Sequence, residues 1–145
     1  MALPVHSIQR IFQHPHFGNF IIRSAVGAIL AISGWNKFAA GQATLEAVGT
    51  NVSRVGLAVA SDGALALFFG IMAAGSELIG GILLILGVLF RSATAVLLLT
   101  MAVATVTKYQ TTSGDFIQYG YPLVVFLVLL GLLFTGPGRF SIMRD

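Results

Sequence analysis

The chain has 145 residues, of which 57% are hydrophobic and only 9% charged, and its mean hydropathy is +0.92. Soluble domains average about 25% charged residues, so this composition excludes an ordinary soluble globule and points to a single integral membrane domain over residues 1–145. The net charge of +3 comes from basic residues scattered singly, which make no nucleic-acid footprint, and the absence of cysteine excludes disulfide exchange and thiolate-ligated metal.

Residues 1–16 are polar and hold all three histidines. Val5, Ile8 and Phe12 recur at helical spacing beside Arg10, a pattern that suits a short helix lying in the membrane interface. His14 and His16 flank Pro15 with no third ligand nearby, so a solvated turn is expected there and no metal. The first apolar run then continues too long for a cleavable signal and is read as a retained anchor over about 17–39. Arg23, Gly27, Gly34 and Lys37 share one face of this span, and Trp35-Asn36-Lys37 forms an aromatic-polar anchor at its end.

Residues 41–63 carry Glu46, Arg54 and Asp62 between short apolar positions. This stretch is expected to lie on the extracytoplasmic surface or to cap the bundle. The second span, about 66–90, contains one acid, Glu77. A carboxylate at mid-membrane costs on the order of 2.5–3.5 kcal/mol or more, so it demands a partner. Gly70, Ala73, Ala74, Gly80 and Gly81 surround Glu77 on its face, and small residues let helix backbones approach closely in lipid. That face is therefore expected to be a packed seam against the first span. A start near Ala64 would place Glu77 at mid-membrane. A start near Gly70 would bring it level with Lys37, and is preferred because it supplies a counter-charge; Arg23, on the same face but near the opposite membrane surface, is the alternative partner that the sequence leaves open.

Arg91 separates the second span from a third over about 92–108, and so tight a turn forces antiparallel neighbours. Lys108 then ends on the same side as Lys37. A polar loop rich in tyrosine follows, and the fourth span, about 117–135, carries Tyr119 inside it. Gly136-Pro137-Gly138 stops that helix. The fold expected is all-α, an antiparallel four-helix membrane bundle. Arg10, Arg23, Arg91, Arg139 and Arg144 fall on the side of the termini, against Lys37, Arg54 and Lys108 on the other. The positive-inside rule thus favours cytoplasmic termini in a bacterial-type cytoplasmic membrane.

Several pieces in order carry a family resemblance: Arg23 to Gly27, Gly34-Trp35-Asn36-Lys37, Glu77-Leu78-Ile79-Gly80-Gly81, Leu86-Gly87 with Arg91, Met101-Ala102, and Gly136-Pro137-Gly138-Arg139-Phe140-Ser141. Together they resemble the DoxX family of small four-span membrane proteins over nearly the whole chain. The resemblance implies association with redox complexes, since the founding archaeal members look like subunits of a thiosulfate:quinone oxidoreductase. Two functions are expected from it. The first is a non-catalytic accessory subunit packed against other membrane subunits, with Glu77 and Lys37 as an internal clamp. The second is a quinone- or small-lipid-binding subunit, in which Trp35, Lys37, Lys108 and Tyr119 donate hydrogen bonds and Glu77 handles a proton. Neither a haem nor any other cofactor is implied firmly, and whether the chain is itself an enzyme stays open. The absence of an internal repeat or a broken helix pair argues against a transporter.

Overall fold

A computed structural model describes residues 15–57 and 63–143, and the helix expected around Val5, Ile8 and Phe12 lies outside the described residues, as do His14 and Asp62. The described chain is helical. Helix α1 spans Pro15–Ala39, α2 Gln42–Gly49, α3 Ala64–Leu86, α4 Phe90–Thr111 and α5 Phe116–Thr135, with a 3-10 helix at Thr50–Val55. Among the described residues, α1, α3, α4 and α5 are long and apolar enough to cross a membrane.

Local chemistry sets the boundaries. Gly87 takes a left-handed conformation (φ 67°) that caps α3, its N–H returning to the Leu83 carbonyl at 2.8 Å. The second helix therefore ends at Leu86 rather than near 90, and Arg91 falls in the first turn of α4. Hydropathy hides this turn because Val88, Leu89 and Phe90 continue the apolar run. At the other end α4 continues past 108 to Thr111, where Gly114 (φ 80°) then helps turn the chain. Asp115 caps α5 by accepting the Ile117 N–H at 3.1 Å.

The helices pack in chain order: α1 along α3, α3 along α4, and α4 along α5. The central core is Leu30, Leu84, Phe90, Leu97, Met101, Val125 and Leu129. The fourth contact of an ideal bundle, α1 against α5, is much the slightest. Glycine decides where backbones touch. A Cβ on Gly34 would lie 2.6 Å from the Ala74 carbonyl oxygen, and one on Gly81 would lie 2.5 Å from that of Gly27. The α1–α3 seam is thus backbone against backbone. Gly70 belongs to a different contact, its missing side chain making room for Leu45 of α2, while Gly80 faces Leu97 of α4. The connection between α1 and α3 is therefore a clasp on the first turns of α3, with Gly49 pressed on Ala66.

At the end where α1 begins and α5 finishes, the segment after α5 closes the bundle. Asn19 donates to the Gly136 carbonyl at 2.9 Å, and the Ile142 N–H reaches the Leu86 carbonyl at 3.1 Å. Arg23, wholly buried in α1, donates through Nη1 to the Pro137 carbonyl at 2.7 Å and through Nη2 to that of Phe140. Its guanidinium lies 5.3 Å from the centre of the Phe20 ring.

The packing makes a paired prediction. Gly81→Ala forces α1 away from α3 and should lower stability by about 1–3 kcal/mol, the usual cost of overpacking. Gly131→Ala, where an added Cβ meets nothing within 4 Å, should be neutral or slightly stabilising. Thermal unfolding in mild detergent distinguishes them, and equal midpoints would refute the backbone seam.

Candidate functional site

Glu77 is the only charged residue between Ala64 and Leu86, and it is 2% exposed. The small residues on its face bring α1 close enough for that helix to satisfy it. Ser33 and Lys37 stand one helical turn apart on α1 and point the same way. Ser33 donates its hydroxyl to Glu77 Oε2 at 2.9 Å, and Lys37 Nζ donates to the same oxygen. Two donors on one carboxylate oxygen, one of them cationic, offset the desolvation that burial imposes.

Helix α3 begins at Ala64 and not at Gly70, so the start preferred from the sequence is corrected. The counter-charge nevertheless reaches Glu77. Lys37 sits in the last turn of α1, opposite the middle of α3, and the first turns of α3 beyond it pack on α2 through Ala66 and Gly70. Of the cations on the α1 face, Lys37 takes Glu77, and Arg23 takes the tail carbonyls.

Lys37 is also the outlet of this buried group. Its side chain is 25% exposed, and it opens into a recess of about 430 Å³ between α1, α2 and α5. Ile29 and Ile32 form its apolar wall, while Ser33, Asn36, Thr44 and Tyr121 add polar groups. The recess exists because α1 and α5 make little contact with each other.

Not every residue singled out in the sequence arrives here. Trp35 is 63% exposed, since two positions along a helix from Lys37 is nearly the opposite side. Lys108 is exposed near the end of α4 and does not line the recess. Tyr119 packs edge-on against Tyr109 and Phe116, with ring centres 5.5 and 5.4 Å away. Tyr121 lines the recess instead. Of the packing residues, Gly27, Gly34, Gly70, Ala74, Gly80 and Gly81 are buried and Ala73 is half-buried. Ser33 was legible as the residue one turn before Lys37. Choosing Tyr121 over Tyr119 required the rotation of α5 about its own axis, which an almost uniformly apolar span does not encode.

The family model for DoxX matches residues 18–110. The chain belongs to the DoxX family. It is thus a multi-pass membrane protein of that family, and the matched stretch includes Arg23, Ser33, Lys37 and Glu77. Tyr121 and the tail that binds Arg23 lie beyond the stretch that defines this DoxX match. No curated protein and no solved structure matched the chain.

The ion pair predicts an asymmetric mutational response. Lys37→Met leaves Glu77 buried without its cation and should cost about 3–5 kcal/mol. Glu77→Gln should cost less, because the partly exposed Lys37 can turn toward water or headgroups. Combining Lys37→Met with Glu77→Gln should recover most of the loss. A double-mutant cycle on detergent unfolding midpoints checks this, and strict additivity would mean the two groups do not interact.

Proposed function

We propose that this DoxX-family chain is a quinone-binding subunit of a redox membrane complex, lying in a cytoplasmic membrane with both termini in the cytoplasm. The observation that carries the reading is the recess beside Lys37, where several hydrogen-bonding groups meet apolar walls within a membrane bundle. A quinone requires such a combination: donors for its carbonyls, an apolar slot for its ring, and a group able to hold a proton. Tyr121, Asn36 and Lys37 supply donors; Lys37 carries three and directs one to Glu77. Ile29 and Ile32 supply the apolar wall. A bound quinone contributes the electron-accepting chemistry, for which the chain has no side chain of its own. The protein's part is to bind and orient the ring, and to hold a proton within the Lys37–Glu77–Ser33 group.

The proposed topology rests on the distribution of basic residues. Arg23, Arg91 and Arg139 belong to the end where the termini lie, whereas Lys37, Arg54 and Lys108 belong to the other. The recess then opens toward the extracytoplasmic half.

A separate observation favours the reading as an accessory subunit. A groove of about 530 Å³ runs between α3 and α4 on the lipid side, walled by residues such as Ile71, Met72, Ile79, Leu83 and Val96, and is almost wholly apolar. Gly75 within it has nothing packed where a side chain would stand. A helix of a partner subunit would fit such a surface, and the two functions are compatible in one chain.

The test is mass spectrometry of the protein solubilised gently from its own membranes. Quinone is expected at near-stoichiometric amounts, and Tyr121→Phe should reduce its retention about five- to tenfold, the equivalent of roughly one hydrogen bond. Tyr119→Phe should leave retention unchanged. Absence of quinone from the intact complex would defeat the reading, and equal losses in both variants would defeat the assignment of Tyr121.

A further inference from the structure

The recess at Lys37 has a counterpart further along the same two helices, which make little contact with each other. A second cavity of about 390 Å³ lies between the same two helices nearer the termini, bounded chiefly by Gly18, Asn19 and Ile22 of α1 and by Val128, Gly131 and Leu132 of α5. The two cavities use one face of each helix. On α1, Gly18, Ile22, Ile29 and Asn36 recur at steps of four and seven; on α5, Tyr121, Val128 and Thr135 recur at steps of seven. Fourteen residues separate Gly18 from Ile32, and fourteen separate Tyr121 from Thr135. At 1.5 Å per residue each wall is roughly 21 Å long.

The glycines of this trough differ from those of the α1–α3 seam. Gly27, Gly34 and Gly81 are required because another backbone occupies the place of a side chain, whereas a Cβ on Gly18 or Gly131 would meet nothing within 4 Å. Neither has the positive φ that excludes other residues. Glycine inside a helix costs about 0.5–1 kcal/mol relative to alanine, and at these two positions close packing does not account for it. Their effect on shape is to deepen the trough from both walls. One end of the trough carries Lys37, Asn36 and Tyr121; at the other, Asn19 and Thr135 are polar too, but their side chains already donate to the Gly136 and Leu132 carbonyls, and the wall between is apolar.

Resting on the quinone reading above, we infer that the trough between α1 and α5 holds the hydrocarbon tail of the same ligand, so that a single-chain amphiphile lies lengthwise with its head at Tyr121 and its tail passing Ile22 and Val128 toward Gly131. The orientation follows from the donors, since Lys37, Asn36 and Tyr121 line one end while Asn19 and Thr135 at the other are bonded to backbone carbonyls. The Lys37–Glu77 pair is neutral overall, which favours an uncharged acceptor head over an anionic one. The cavity of about 390 Å³ is bounded by a single face of each of two helices, which suits a single tail better than the two of a diacyl lipid. Lipid tails are as apolar as the trough walls, so the tail gains little from leaving the bilayer. Its contribution is to fix the position of the head, and the decisive readout is where the tail lies.

The experiment uses the full chain in lipid nanodiscs and two hexadecyl-benzoquinone photoprobes. One carries a diazirine on the first carbon of the chain, and the other carries it at the chain terminus. Cross-linked residues are located by peptide mass spectrometry, with unlabelled hexadecyl-benzoquinone as competitor. The first probe should mark Ile32, Asn36 or Tyr121, and the second should mark Ile22, Val128 or Leu132, both competably. Gly131→Leu should reduce labelling by the terminal probe at least fivefold and leave the first probe's labelling in place. If that variant does not fold, Gly18→Leu fills the opposite wall and makes the same prediction. Competable labelling at Tyr121 with the tail on the α3–α4 groove, or scattered over the lipid face, would overturn the inference and leave the head site standing. Loss of competable labelling with both probes would overturn the head site itself.

Discussion

A carboxylate held inside a membrane bundle sets the terms for the rest of this structure. Glu77 can stay buried only if another helix approaches closely enough to donate to it, and close approach in lipid depends on small side chains. The glycines and alanines around Glu77 on α3, together with Gly27 and Gly34 on α1, meet that requirement. Ser33 and Lys37 then fall within reach because α1 is pressed against α3 along its length. Packing and electrostatics are here one constraint: a side chain at Gly34 or Gly81 would separate the helices and the charges together.

Tight packing on one side of α1 has a counterpart on the other. Since α1 is committed to α3, and α5 is committed to α4 through Val125, Leu129 and Leu132, the two outer helices are left with little mutual contact. The bundle is joined across this gap mainly at the termini end, where Arg23 and Asn19 of α1 bond the carbonyls of the tail. Arg23 has no carboxylate among these partners; carbonyl oxygens and the Phe20 ring face it instead. The same arrangement leaves Gly87 without room for a side chain, because Arg23 and Ser141 fill that space. At the opposite end no such strap spans the gap among the described residues, and Lys37, Asn36 and Tyr121 line it.

Much of this could be read from the chain. The single acid of the second span, its small neighbours, the helical spacing that places Lys37 and the glycines of α1 on one face, and the family resemblance are all features of the sequence. The places where the reading missed share a cause. The end of α3 at Gly87 was hidden by an unbroken apolar run, and the roles of Tyr119 and Tyr121 were not separable because α5 is apolar almost all round. In lipid the usual cue, a polar face turned to water, is absent, so helix rotation is poorly encoded.

The sequence by itself determined that the chain is a four-span membrane bundle of the DoxX family and that Glu77 needs a partner, with Lys37 and Arg23 of the first span both on the right face to supply it. Those conclusions follow from hydropathy, from the cost of a charge in hydrocarbon, and from residue order, all of which are local. The tertiary structure alone decided that Arg23 belongs to the C-terminal tail, that α2 clasps the start of α3, and that α1 and α5 stand apart with Tyr121 facing the gap. Each of these depends on contacts between segments distant along the chain, where the outcome turns on which backbones can approach, and no periodicity within one helix records that.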